Sequence, residues 1–426
     1  MHLRPQQPAR EAGRGVTAVA EPSTGTELPG PSLPPPWHTP ERAELMAQAR
    51  RFSLERLKPV ADELDPKKAD IPADVLAEMG TLGYFGVMIP EEHGGLGGGV
   101  FEYCLVSEEL ARAWMSASSI IARAQGLGTA VGDEDRRREL LARSARGQWI
   151  GAAAFSEPEA GSDLAGVATT AVRQGDEFVV SGHKRWCGNA VAADFIVVLC
   201  RFADAEEGGS RSKALRTLML EKKPGELPPG VTATPIDKIG YHGMTTYDLV
   251  LDEVRIPVSA QVEAFGMPVA RGEGFAALER GLNMARVQTA ARAVGVARAA
   301  VEDTTAYLQQ RVQFGRPIGH FQALRFQLAE MAARVDQARA HYRQVAALMD
   351  AGVACETEAA MVKLMATEMA AEVTAQAIQL HGGNGYTTEH QVERYWRDAR
   401  LTTIFEGTSQ IQQLIISDRI LGKVRA

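Results

Sequence analysis

The sequence has few cysteines and no long apolar run. Its four cysteines, Cys104, Cys187, Cys200 and Cys355, have neither the spacing of metal ligands nor the density of a disulfide scaffold, so we expect reduced thiols in a cytoplasmic protein. No stretch of about 18 apolar residues occurs, and the N-terminus has no apolar signal-peptide core. These absences argue against a membrane span, secretion and a bound metal.

An excess of basic residues is also missing. The 46 Lys and Arg residues face 53 Asp and Glu residues, giving a net charge of −7, which argues against a nucleic-acid-binding protein. Of the 426 residues, 45% are hydrophobic and 23% are charged, an ordinary profile for a soluble globular protein. The length allows two or three domains with a substantial core.

The periodicity of apolar residues divides the chain into four parts. Residues 1–39 are rich in Pro, Gly, Ser and Thr and are predicted to be a disordered extension. Thr39 is a predicted N-cap, followed by Pro40 at the first helical position. Helices are expected over the N-terminal domain, residues 40–148, at 41–64, 72–80, 101–117 and 133–146.

Near residue 150 the period changes from 3.6 to 2. This predicts a β domain over 149–271, with strands at 149–155, 167–174, 177–183, 194–201, 215–221 and 246–256. The short, closely spaced runs disfavour a Rossmann sheet. Long helical patterns return in residues 272–426, and their short connections favour an antiparallel bundle. These helices are predicted at 273–309, 320–351, 355–381 and 408–422.

The stretch from Gln379 to Gln410 concentrates the unusual features. A helical pattern ends at Gly382-Gly383-Asn384-Gly385, which could be a plain helix stop or a turn whose backbone N–H groups bind a diphosphate. The run Leu401–Ile404 is predicted to be extended and to lead into Phe405-Glu406-Gly407-Thr408, before a final helix. Glu406 could complement the dipole of that helix, or it could act as a general base in an apolar pocket.

These segments resemble the C-terminal domain of the acyl-CoA dehydrogenases. The segment Ala154–Leu164 also resembles a motif of that family, as do Lys184–Asn189 and Arg311–Ile318. The resemblance covers about residues 40–426. It implies an α+β multidomain fold with an N-terminal helical domain, a central β-barrel-like domain and a C-terminal four-helix bundle.

The resemblance also implies FAD as cofactor and assigns residues to it. Phe155, Ser156 and Trp186 would line the flavin, and Ser162 would contact both cofactor and substrate. Arginine suits a diphosphate because its planar guanidinium donates two hydrogen bonds at once. The remaining residues implied in FAD binding, some from a neighbouring subunit of a dimer-of-dimers tetramer, are Cys187, Gly188, Arg311, Gln313, Phe314, Gln322, Gln379, Gly382, Gly383, Thr408, Ser409 and Gln410.

By the same resemblance Glu406 is the catalytic base, and Asn283, Arg286 and Gly407 lie beside the substrate. One branch of the family carries its base before the arginine, but Ala285 stands there in this chain. The implied reaction is α,β-dehydrogenation of a short or branched acyl-CoA, with an electron-transferring flavoprotein as acceptor.

One residue departs from the family pattern. Gly188 occupies a position where many members have a threonine whose hydroxyl contacts flavin N5. A glycine could leave room for oxygen, so an acyl-CoA oxidase is an alternative. A carrier-protein-bound acyl substrate and a non-catalytic acyl-thioester-binding subunit are the others.

Overall fold

The computed structural model describes residues 37–202, 214–262 and 274–422. The predicted disordered extension therefore lies outside the described residues except for its last three positions. At its end Thr39 caps the first helix, because its hydroxyl accepts a hydrogen bond from the Arg42 backbone N–H at 3.2 Å, and Pro40 is the first helical residue. The predicted helix start is confirmed.

The N-terminal region is helical, as predicted. The pattern expected to be one helix at 101–117 is broken at Trp114, which has an extended backbone (φ −155°, ψ 111°). A π-helical turn, Phe52–Leu57, connects the first two helices. The helices are α1 Pro40–Arg51, α2 Lys58–Leu64, α3 Ala73–Thr81, α4 Val100–Ala113, α5 Met115–Ile121 and α6 Glu134–Ala145.

The central region is a mostly antiparallel sheet. Its strands are β1 Gly151–Ala154, β2 Thr170–Gln174, β3 Glu177–Gly188, β4 Phe195–Phe202, β5 Leu215–Glu221, β6 Val231–Pro235, β7 Thr246–Pro257 and β8 Gln261–Val262. The order is β6-β7-β3-β2-β4-β5-β8, and β1 pairs with β4 in parallel. The predicted order of a helical, a β and a second helical region is confirmed. The described strands form an open sheet, and β6 and β8 were not predicted.

The C-terminal region contains the long helices. They are α7 Gly274–Gln310, α8 Gln322–Asp350, α9 Glu356–His381, α10 Val392–Thr402 and α11 Ser409–Leu421, and a hairpin of β9 Val312–Gln313 and β10 Arg316–Pro317 follows α7. The prediction of an extended run at Leu401–Ile404 was wrong. The hydroxyls of Thr402 and Thr403 bond back to the carbonyls of Ala399 and Arg400, which closes the end of α10.

The two largest apolar cores among the described residues hold most of these elements together. One joins the N-terminal and C-terminal helices and contains Leu110, Val294 and Val345, all almost fully buried. The other lies in the sheet and contains Phe178, Val198 and Leu249. Helix α7 packs against α4, α8 and α9, so it is the central element of the helical part. None of the helices in the described ranges is both long and apolar enough to cross a bilayer.

Candidate active site

Glu406 lies in the short connection between α10 and α11. Its backbone is left-handed (φ 53°), as is that of Gly407 (φ 87°), and such a conformation is uncommon for a residue with a side chain. Thr408 then caps α11 by accepting a hydrogen bond from the Ile411 backbone N–H at 3.3 Å. The sharp reversal presents the Glu406 carboxylate toward α7. Backbone strain of this kind clusters at functional sites.

Two side chains of α7 hold both oxygens of that carboxylate. Thr289 donates to Oε2 at 2.6 Å and Arg292 donates to Oε1 at 2.7 Å. Arg292 is 1% exposed, whereas the Glu406 side chain is 29% exposed, and Arg292 also donates to the hydroxyl of Ser119 at 2.8 Å. Charge-assisted hydrogen bonds of this kind are short and strong. The carboxylate therefore has polar partners instead of the apolar surroundings considered from the sequence, and its orientation is fixed.

A buried lysine supports the same connection. Lys363 of α9 is fully buried and donates to the Gly407 carbonyl at 2.6 Å. Burial lowers the pKa of Lys363 to about 8, although the nearby charge of Glu406 acts in the opposite direction. Gln412 donates to the same carbonyl at 3.0 Å, so two side chains fix the backbone directly after the base candidate.

We expect the protein to gain stability relative to a Lys363→Met variant as the pH rises from about 8 to about 9.5. The folded-state pKa is about 8, below the ordinary value of 10.5, so within that window the unfolded chain binds a proton that the folded protein does not. The free energy of unfolding then rises with pH by up to about 1.4 kcal/mol per unit. This contribution is complete above the ordinary pKa and is lost as the pH falls through 8.

Denaturant unfolding of both proteins at the two pH values measures the difference. A Lys67→Met variant is the control, because Lys67 is exposed and pairs with Glu63 on the surface. Equal pH dependence in the wild type and the Lys363→Met variant would contradict the prediction.

The predicted flavin motifs of the β domain lie side by side. The Arg185 backbone N–H donates to the Ser156 carbonyl at 2.8 Å, and Lys184 donates to the Phe155 carbonyl at 3.2 Å. Lys184 also pairs with the Glu157 carboxylate at 2.8 Å. Burial alone would raise the pKa of Glu157, but hydrogen bonds from Lys184, Thr169 and two backbone N–H groups lower it to about 2. Ser162 lies in the exposed part of the same loop.

A bulge at the end of β3 sets the exposure of the third motif. The register with β7 shifts between Lys184 and Cys187, and Trp186 has a positive φ of 67°. As a result the Trp186 ring is 55% exposed, while the Cys187 side chain points into the core of the sheet. Trp186 can therefore cover a flat ligand, whereas Cys187 can contribute only its backbone.

Gly188, at the end of the same strand, does not face empty space. A Cβ at this position would lie 2.8 Å from Nη2 of Arg123 and 3.1 Å from Cε of Met244. Arg123 follows α5 and reaches the site from the N-terminal helical region. The room for oxygen considered from the sequence is thus occupied by a guanidinium group.

The glycine turn after α9 is open to solvent. Gly382 has φ 60° and ψ −140°, a conformation that only glycine adopts readily, and a Cβ on Gly382 or Gly383 would meet nothing within 4 Å. Tyr307 of α7 holds the turn: its hydroxyl donates to the His381 carbonyl at 3.2 Å and accepts from the Asn384 amide at 3.0 Å. The backbone here can be approached closely by a ligand.

The hairpin β9–β10 lies at the same end of α7. The Arg311 N–H donates to the Tyr307 carbonyl at 2.8 Å, so Tyr307 connects the hairpin to the glycine turn. Phe314 is 92% exposed and has a positive φ of 51°. The other candidates here are also exposed: Arg311, Gln313, Gln322 and Gln379. An exposed phenylalanine beside an arginine and glutamines is suited to contact another molecule.

The two groups of candidate residues lie far apart within one chain. Glu406 bonds to Thr289 and the glycine turn bonds to Tyr307, both on α7, and 18 residues of helix correspond to about 27 Å. The residues fit an extended flavin dinucleotide in chemical type: an exposed tryptophan on a bulge, a glycine-rich turn and an exposed arginine. One end of a bound ligand therefore cannot contact both the hairpin and Glu406 of the same chain.

The remaining candidates lie near the base. Arg286 donates to the Asn283 amide oxygen at 2.5 Å, and both belong to α7. Ser409 is buried and donates to the Glu368 carboxylate, whereas Gln410 is exposed. Thr289 and Arg292 were not predicted. A signal was present, since α7 carries polar residues at steps of three, Asn283, Arg286, Thr289 and Arg292, among Ala, Val and Met.

Comparisons with known proteins match most of the chain. Three family models fit: "Acyl-CoA dehydrogenase, N-terminal domain" at 39–148, "middle domain" at 152–254 and "C-terminal domain" at 272–421. A probable acyl-CoA dehydrogenase, YngJ of Bacillus subtilis, is 37% identical over 90% of this chain and 98% of its own.

Solved structures agree. Butyryl-CoA dehydrogenase from Megasphaera elsdenii has a TM-score of 0.80 at 30% identity, covering 90% of this chain and 98% of that one. A glutaryl-CoA dehydrogenase from Mycobacterium smegmatis, in complex with FADH2, has a TM-score of 0.81 at 28% identity, covering 91% and 96%.

Proposed function

The chain belongs to the FAD-dependent acyl-CoA dehydrogenase family, and we propose that it desaturates a short or branched acyl-CoA at the α,β-bond with Glu406 as base. The observation that carries the proposal is the arrangement of Glu406. Its carboxylate is fixed by Thr289 and Arg292. Among the described residues nothing accepts a hydrogen bond from its own backbone N–H.

These two features of one residue suit the chemistry. The α-proton of a thioester is hardly acidic unless the carbonyl is polarised, so a free backbone N–H beside the base can stabilise the negative charge that develops on the carbonyl oxygen. Glu406 removes the α-proton. Bound FAD supplies the acceptor for the β-hydride. Asn283, Arg286 and Gly407 lie near the base and are proposed to contact the thioester.

FAD is proposed to bind at the β3 bulge and at the exposed hairpin. Phe155, Ser156, Trp186 and Gly188 are proposed to contact the flavin end. Because the hairpin lies about 27 Å along α7 from the base, it is proposed to serve the site of a neighbouring subunit. This arrangement supports a homo-oligomer, with a tetramer as the assembly that the family resemblance favours. The residues proposed for the dinucleotide end are Arg311, Gln313, Phe314, Gln322, Gln379, Gly382 and Gly383, with Thr408, Ser409 and Gln410 nearer the base.

An electron-transferring flavoprotein is the proposed acceptor. The oxidase alternative was based on free space beside Gly188 for oxygen. The side chain of Arg123 fills that space, so this argument for an oxidase no longer applies. A carrier-protein-bound acyl group remains the second candidate substrate, since the residues that contact the thioester are the same for both carriers. The intact base argues against a non-catalytic subunit.

An anaerobic visible spectrum of the purified protein, titrated with acyl thioesters, tests the proposal. We expect a flavin band that is bleached by one of butyryl-, isobutyryl-, isovaleryl-, glutaryl- or octanoyl-CoA, because desaturation transfers two electrons to the flavin. Admission of air then separates dehydrogenase from oxidase by the rate at which the band returns. A colourless protein would contradict the proposal, and a coloured protein bleached only by carrier-bound thioesters would shift it to the second candidate.

A further inference from the structure

Arg123 and Gly188 come from different domains, and the Arg123 side chain occupies the space beside Gly188. Arg123 follows α5, and Gly188 ends β3, yet Nη2 of Arg123 lies 2.8 Å from the point where a side chain at residue 188 would begin. Real Cβ atoms do not approach another heavy atom so closely. A side chain at 188 and the present position of the guanidinium therefore exclude each other.

The backbone of Arg123 is held from both sides. Its N–H donates to the Ile120 carbonyl at 3.0 Å, and its carbonyl accepts from the Gly151 N–H at 2.8 Å. This second bond connects the end of α5 to the start of β1. The side chain therefore extends from a fixed point toward β3.

The guanidinium has few partners. Its Nε donates to the thioether sulfur of Met244 at 3.2 Å, and sulfur is a weak acceptor. Over the ranges 37–202, 214–262 and 274–422, no carboxylate lies within ion-pair distance of Arg123, although its side chain is partly buried. A guanidinium carries five N–H donors, and a partly buried one without an anionic partner is suited to bind an acceptor from outside the chain.

Arg123 and the proposed base act on one common buried residue, Tyr103. Tyr103 is fully buried, and burial raises its pKa; the charges of Arg292, Glu406 and Arg123 all act on it as well. Arg123 and the Arg292–Glu406 pair therefore both lie within electrostatic range of one buried tyrosine. The contact with Gly188 places this cation at the bulged end of β3.

We propose that Arg123 takes the place of the side chain absent at residue 188 and donates hydrogen bonds to the edge of the bound flavin ring. The inference rests on the proposed function, since it requires FAD at the β3 bulge. A cation there stabilises the negative charge that the flavin gains on reduction. Arg123 thereby raises the reduction potential of the cofactor and tunes it in place of the missing hydroxyl.

The test measures the reduction potential of the FAD-loaded protein without any thioester. Loss of a charge-assisted hydrogen bond in an Arg123→Gln variant is expected to weaken the preference for the reduced cofactor by roughly 10- to 100-fold. For a two-electron couple this is a fall of about 30 to 60 mV. An Arg136→Gln variant is the control, because Arg136 forms an exposed pair with Glu221, and its potential is expected to equal that of the wild type.

Further variants separate the proposal from its rivals. Arg123→Lys retains the charge and is expected to retain most of the reduction potential. This variant still tests the proposal if Arg123→Gln fails to fold. Arg123→Gln combined with Gly188→Thr supplies a hydroxyl where the guanidinium stood, and recovery of part of the lost potential is expected. In the wild-type background Gly188→Thr displaces the guanidinium, since the new Cβ would lie 2.8 Å from Nη2.

An unchanged potential in Arg123→Gln would overturn the inference. If that variant instead raised the KM for succinyl- or glutaryl-CoA but not for butyryl-CoA, Arg123 would be assigned to a substrate carboxylate. Absence of flavin from the wild-type protein is a different result, because it overturns the proposed function itself.

Discussion

A Glu406→Gln variant is expected to bind FAD and yet to lose turnover by about 10²- to 10⁴-fold, the usual contribution of a positioned general base. Glutamine has the same shape and can still accept from Thr289, but it cannot take up the α-proton. The hydrogen bonds of Thr289 and Arg292 to Glu406 are local to α7 and the connection before α11, so strand β3, where the flavin is proposed to bind, remains intact. Bleaching of the flavin band by the best thioester measures the effect.

The matched control is Glu389→Gln. Glu389 is exposed in the loop before α10, and in the described part of the chain its side chain makes no ion pair. Its variant should bleach at the wild-type rate. Near-normal bleaching in Glu406→Gln would eliminate Glu406 as the base, and it would direct attention to the other carboxylates near α7.

The helices and the family motifs could be predicted because their signals are local. Thr39-Pro40 marks a helix start whose cap is made by the residues themselves. Helix α10 was missed for the opposite reason. Two of its charged residues, Arg394 and Asp398, are buried, and their partners Asp62 and the Tyr241 N–H lie far away in the sequence. Only tertiary contacts make such a charged segment a stable buried helix.

The same distinction applies within the site. Glu406 matches a motif and Gly188 departs from one, and both can be recognised from the local sequence. The side chains that contact these two residues come from distant parts of the chain. Arg123 precedes Gly188 by 65 positions and belongs to another domain. A sequence pattern can show that a hydroxyl is missing at residue 188. It cannot show that a guanidinium fills the space, since that depends on how the helical region packs on the sheet.

The helical region contains a buried network of charges whose centre is Glu108 of α4. Arg298 of α7 lies 3.1 Å from Glu108 Oε1 and Arg339 of α8 lies 2.9 Å from the same oxygen. Arg343 is 3.6 Å from Oε2, and the Tyr342 hydroxyl donates to that oxygen. Burial alone would raise the pKa of Glu108, but the three arginines outweigh it and lower the pKa to about 2. One carboxylate thus joins three helices.

A Glu108→Ala variant is therefore expected to lose about 3–5 kcal/mol of stability, because three buried guanidinium groups lose their shared partner. Denaturant unfolding measures the loss. Glu63→Ala is the control, since Glu63 forms an exposed pair with Lys67, and its cost should stay below about 1 kcal/mol. Glu108→Gln keeps the shape and removes only the charge, so it should lie between the two. Equal stability of Glu108→Ala and Glu63→Ala would mean that water or rearranged carboxylates already satisfy the arginines.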